Sequence, residues 1–154
     1  MQRIANRALL ALVAAAALGG CSAASTSTAG GEPEYLVAPD AASRPFSPAV
    51  RAGGLLFLAG KLGTDNGGKL APGGIQAETR QAMENIGAEL KKAGSGFDRV
   101  LKCTVFLADM GEWAAMNEVY APYFPEGKRP ARTAVAVNGL AADARVEIEC
   151  IAAA

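Results

Sequence analysis

Two places near the C-terminal end of this 154-residue chain carry side chains suited to chemistry on a small anion. The first is Arg132, which follows Pro130-Ala131 and leads a run of small and apolar residues. A guanidinium entering a strand straight after a proline-fixed turn is held rigidly, and its planar fork suits a carboxylate. The second is Arg145 to Ile151 (RVEIECI), where strand alternation puts Val146, Ile148 and Cys150 on one face and Glu147, Glu149 and Ile151 on the other. Two carboxylates embedded in an otherwise apolar strand mark a candidate site. Ordinary roles stay open: Glu149 as a solvated or structural acid, and Arg132 and Glu147 as partners of each other.

What is missing narrows the chemistry. The chain has no histidine, which excludes Ser-His-Asp and Cys-His catalysis and removes the commonest nitrogen ligand of zinc and copper. Apart from Cys21, only Cys103 and Cys150 remain, too few and too far apart for a zinc site. Both lie in apolar strand-like runs, where buried free thiols are the expectation, although an oxidising compartment would let them pair. No metal is expected.

The elements that must position these residues occupy one domain, expected over 44–154. Leu55 to Ala59, introduced by Gly53-Gly54, has the length and composition of a buried strand. Asp65-Asn66-Gly67-Gly68 marks a turn, and Pro72-Gly73-Gly74 a break. The recurrence of Ile75, Thr79, Ala82, Met83, Ile86 and Leu90 predicts a helix over 75–93, with Lys91 and Lys92 in its last turn and Gly94 as its stop. A strand over 100–107 comes next. Asp109, with Glu112 three residues on, has capping-box spacing for a second helix whose buried stripe would be Trp113, Met116, Val119, Tyr120 and Tyr123, ending at Pro125. Strands over 132–137 and 145–151 complete an α/β single domain, a mixed β-sheet with two helices packed on one face. The other face then needs a partner, most simply another copy of the chain.

The N-terminal residues read as an address. Arg3 and Arg7 precede the apolar run Ala8 to Ala17, which is short for a bilayer span, and Leu18-Gly19-Gly20-Cys21 matches a lipobox. The expectation is a cleaved lipoprotein signal peptide over 1–20, a lipidated Cys21 holding the protein to a membrane, and a flexible linker over 21–43 rich in Ser, Thr, Ala, Gly and Pro. That places the domain in the cell envelope, facing the periplasm. Ser22 leans towards the outer membrane if the host is Gram-negative. Removing residues 1–20 takes away two arginines and changes the formal charge from 15 − 15 = 0 to 13 − 15 = −2. An acidic domain makes a poor phosphate-tracking surface, so no nucleic acid partner is expected.

Several stretches in order along the domain together resemble the reactive intermediate deaminase family (RidA, also called YjgF). They are Pro45 to Val50, Gly60, Gln81 to Ile86, Lys102 to Leu107, Asn117 to Tyr120, Pro130 to Thr133, and Val146 to Glu149. The resemblance implies a chorismate-mutase-like fold, a homotrimer, and three sites in the clefts between subunits. It implies hydrolysis of a small 2-imino or enamine acid to a 2-oxo acid and ammonia, with no cofactor. By the same resemblance Arg132 binds the substrate carboxylate and Glu147, with the backbone near Ala134, orients the water. Phe46, Ala59, Lys61, Asn117, Thr133 and Ala134 would line the substrate. The sequence departs from the family's usual pattern at Phe46, where a tyrosine is common, and at Ala59-Gly60-Lys61, where Ser-Gly-Gln is common. Each lost hydroxyl removes about a kilocalorie of substrate hydrogen bonding. These departures and the envelope address motivate an alternative, a non-catalytic trimer that binds a small carboxylate or a protein partner. A ribonuclease reading, suggested by names that parts of the family have carried, conflicts with the acidic charge and missing histidine.

Overall fold

The computed structural model describes residues 31–37 and 45–154. The expected signal peptide, Cys21 and most of the expected linker lie outside the described residues.

Among the described residues seven strands form one mixed sheet: β1 (Glu34–Leu36), β2 (Ala49–Ala52), β3 (Leu55–Leu58), β4 (Lys61–Leu62), β5 (Val100–Leu107), β6 (Ala131–Ala136) and β7 (Val146–Ala153). Their order is β1-β2-β3-β7-β5-β6, and the short β4 pairs with β7 as well. Of these strands β5 and β6 alone run parallel, and the second helix lies in the crossover between them. The β2–β3 hairpin turns on Gly53 and Gly54, both at positive φ (57° and 77°), as a tight two-residue hairpin turn demands.

Helix α1 (Ile75–Lys92) buries the stripe that its spacing predicts, and Glu78 as well. Gly94 at φ 75° ends it, with the Gly94 and Ser95 N–H groups donating to the Lys91 and Leu90 carbonyls. Helix α2 spans Trp113–Tyr120 and starts later than expected. Asp109 does cap, accepting the Gly111 N–H at 2.8 Å, but the element it opens is a 3-10 turn over Met110–Glu112. The Glu112 carboxylate does not close a capping box. It accepts from Arg145 Nη1 at 2.5 Å, a stronger, charge-assisted partner.

Both helices pack on one sheet face, the side of Val146, Ile148, Cys150 and Ala152, and the core lies between. Among the described residues nothing covers the opposite face, which is bare. Cross-strand register aligns Tyr35, Val50, Phe57 and Ile151 there, with Phe57 42% exposed, and Val135 stands further along at 39%. The apolar face left for a partner is the one the two-helix arrangement predicts.

Two expectations need correction. Part of the expected linker is structured: Glu34–Leu36 pairs antiparallel with β2, and Arg51 bonds to Glu34 across the two strands. A Ser- and Gly-rich segment hid a three-residue strand too short to show a period. Cys103 and Cys150 are not free thiols but a disulfide, because β5 and β7 bring them directly opposite each other with 4.1 Å between Cα atoms.

Candidate functional site

Arg132 sits at the start of edge strand β6, opposite Cys103, and so points to the helix side. Its guanidinium carbon lies 4.9 Å from the Tyr120 ring centroid and 5.8 Å from that of Trp113, and Nη1 donates to the Asn117 side-chain oxygen. Residues 113, 117 and 120 share one face of α2, so the helix builds a three-sided seat for the arginine. The seat holds the guanidinium in place without neutralising its charge, since neither ring nor amide is an anion. Tyr120 is buried and its hydroxyl has no hydrogen-bond partner. Burial pushes the Tyr120 phenol up to about 12 against the opposing pull of Arg132. The phenol therefore stays neutral beneath the guanidinium.

Glu147 lies on the bare face of β7, opposite Leu62 of β4 on one side and Phe106 of β5 on the other. Its carboxylate rests against Gly60, where a Cβ would come within 2.0 Å of Oε1. Gly60 also lines a cleft of about 400 Å³, together with Phe46, Lys61, Asn85 and Glu89. The Ala59 N–H donates to the Pro48 carbonyl at 3.0 Å, which ties the Phe46 segment to the start of β4.

Two half-sites result. One is Arg132 with Asn117 at the helix side of the β6 edge; the other is Glu147 with Ala59, Gly60 and Phe46 around β4. Arg132 and Glu147 do not pair, because they project from opposite faces. Two strand spacings and three residues of offset put their Cα atoms on the order of 14 Å apart. Within a single chain the two halves do not close on a small molecule.

A family model described as Endoribonuclease L-PSP matches residues 36–154. The chain is 45% identical to the mouse 2-iminobutanoate/2-iminopropanoate deaminase, over 73% of this chain and 83% of that protein. It is 50% identical to a RutC family protein of Pyrococcus horikoshii, over 70% of this chain and 86% of the relative. Among solved structures, RidA from an Antarctic Psychrobacter superposes with a TM-score of 0.71 at 34% identity, covering 79% of this chain and all of that one. The chain belongs to the RidA/YjgF family.

The RidA fold distributes the expected substrate residues unevenly. Asn117 is committed to Arg132, and Thr133 is exposed on the bare face while Ala134 packs towards the core. Phe46 is 54% exposed at the cleft. Lys61 is not a free cation: its ammonium meets Glu89 at 3.3 Å, and Lys92 approaches the same carboxylate oxygen at 3.8 Å. Helical spacing assigns Trp113 and Tyr120 to the buried stripe of α2. Only Tyr120 is buried; Trp113 is 44% exposed beside the arginine. The i, i+4, i+7 spacing of Trp113, Asn117 and Tyr120 was the available signal. For Gly60, Asn85 and Glu89 no comparable pattern exists.

Proposed function

We propose that the protein hydrolyses small 2-imino acids, in equilibrium with their enamines, to 2-oxo acids and ammonia, at sites completed between copies in a homotrimer. The observation that carries this reading is the seated Arg132: a guanidinium 4.9 Å over the Tyr120 ring centroid and tethered by Asn117, with no carboxylate paired to it among the described residues. Such a group suits a substrate carboxylate through paired N–H donors. Glu147 accepts a proton from water and aims its oxygen at the imine carbon. The carbon–oxygen bond forms as the C=N electrons move to nitrogen. Proton transfer to nitrogen and collapse of the carbinolamine then expel ammonia and leave the 2-oxo acid. Water is the only co-reactant.

The bare apolar face supports assembly of copies, and the separation of the two half-sites supports a cleft shared between them. The names of the mammalian relatives support the substrate class. The Cys103–Cys150 bond supports an oxidising compartment and so the envelope address of the N-terminal residues, with Cys21 as the lipid anchor. The acidic balance of the domain favours a small anion seated on one arginine over RNA.

The test is loss of an imine made in situ from alanine or 2-aminobutanoate by an amino-acid oxidase. Acceleration that disappears in Arg132→Ala is the expected result. No acceleration by a correctly assembled protein, across several amino acids, transfers the reading to a carboxylate-binding or partner-binding trimer.

A further inference from the structure

The strand that follows Gly60 has only two paired residues, Lys61 and Leu62, and needs more than its ladder to hold it in place. Helix α1 supplies the rest. The Asn85 side-chain amide donates to the Leu62 carbonyl at 3.0 Å and to the Thr64 carbonyl at 2.9 Å, and Gln81 donates to the Asn85 oxygen at 3.1 Å. One turn on, Glu89 takes the Lys61 ammonium, and the two side chains are only 13% and 15% exposed. At Gly63 a Cβ would lie 2.4 Å from the Glu78 carbonyl oxygen, so the segment after β4 runs against the α1 backbone. These contacts all fix the same short segment, and its opposite side is the wall against which the Glu147 carboxylate rests.

We propose that the Lys61–Glu89 pair is a positioning device for hydrolysis: it locks β4 to α1 so that the Gly60 backbone holds the Glu147 carboxylate at the angle that aims its water. This rests on the role of Glu147 argued above. Lys61 then acts from the helix side of the sheet, through backbone, on a group on the other side. Register supports this, since Lys61 faces with Ile148 and Leu62 with Glu147. The mostly buried pair is lightly screened: removing Glu89 strands the Lys61 charge, and removing Lys61 leaves Glu89 only the exposed Lys92 at 3.8 Å, a contact within α1 that does not reach β4. A shift of the wall by a fraction of an ångström misdirects the water and leaves the seat of the substrate carboxylate on Arg132 untouched.

The experiment measures kcat and KM of the full-length protein and its Lys61→Met, Glu89→Gln, Lys61→Arg, Gly60→Ala and Glu147→Gln variants, each well below its own melting temperature. Lys61→Met and Glu89→Gln are expected to lower kcat by about tenfold to a hundredfold with KM held, as for a misplaced reacting group. Lys61→Arg keeps the pair and is expected to keep kcat within about threefold. Gly60→Ala, which drives a methyl into the Glu147 oxygen, is expected to give the same kcat loss. Three results overturn the proposal: unchanged kcat in both Lys61→Met and Glu89→Gln, a rise in KM alone in Lys61→Met, or full activity in Gly60→Ala. A fully active Glu147→Gln instead overturns the reading of the site on which the proposal stands, and so separates the two failures.

Discussion

Reduction of the Cys103–Cys150 bond offers a measurement whose size can be worked out from the chain. The two cysteines are 47 residues apart in sequence and are 0% and 2% exposed, and they staple neighbouring strands β5 and β7 at the centre of the sheet. Opening the bond changes little in the native contacts, because both sulfurs stay packed in the core. Its main effect falls on the unfolded chain, which regains the entropy of a loop of that length, about 4 kcal/mol at 25 °C. A domain of this size has a urea dependence of about 1–3 kcal/mol per molar, so the midpoint should fall by about 2 M. The assay is equilibrium urea unfolding of the purified protein, with and without reductant, beside a thiol titration under denaturing conditions. Superimposed curves, or two titratable thiols in protein never exposed to reductant, would refute the reasoning and with it the support for an oxidising compartment.

Other contacts lead to three further outcomes. Glu78, buried in the first turn of α1, accepts the Arg145 N–H at 2.8 Å, so Glu78→Ala leaves that donor unpaired and should lower stability by about 1–3 kcal/mol in the same urea assay. Tyr120→Phe loses no hydrogen bond and should be close to neutral at pH 7, because the hydroxyl has no partner. Above pH 10 the wild type should lose stability faster than this variant, up to about pH 12, since the unfolded tyrosine gives up its proton at 10.0 and the folded one at about 12. Melting temperatures between pH 8 and 11 check the sign, and parallel curves would contradict it. Gly63→Ala places a methyl 2.4 Å from the Glu78 carbonyl oxygen and should destabilise by at least about 1 kcal/mol, read by thermal melting; an unchanged midpoint would show that β4 and α1 separate freely.

The strongest sequence signals were those with a period long enough to read. Helix α1 shows more than four turns of apolar recurrence and ends within a residue of its expected limit, and β5 matches its expected span. Alternation in β7 separated Glu147 from Ile148 onto opposite faces, as the strand shows. The short strands β1, β2 and β4 left no such trace, for two to four residues cannot display alternation. Their positions come from hairpin and long-range pairing, which local pattern does not encode. The same limit explains the disulfide: apolar runs were legible, but the register that sets Cys103 against Cys150 was not. It also explains Lys61. The resemblance marks it as a substrate-lining residue, and only the packing of α1 over β4 shows that Glu89 already holds it.

The central claim, that the arginine of one copy and the glutamate of another share a site, is tested by mixing two inactive variants. Arg132→Ala and Glu147→Gln are each expected to be inactive towards imine. Unfolded together in equal amounts and reassembled as trimers, they should recover about one quarter of wild-type activity, because one interface in four then joins an intact Arg132 to an intact Glu147. Mixed trimers that stay as inactive as either parent would contradict the account.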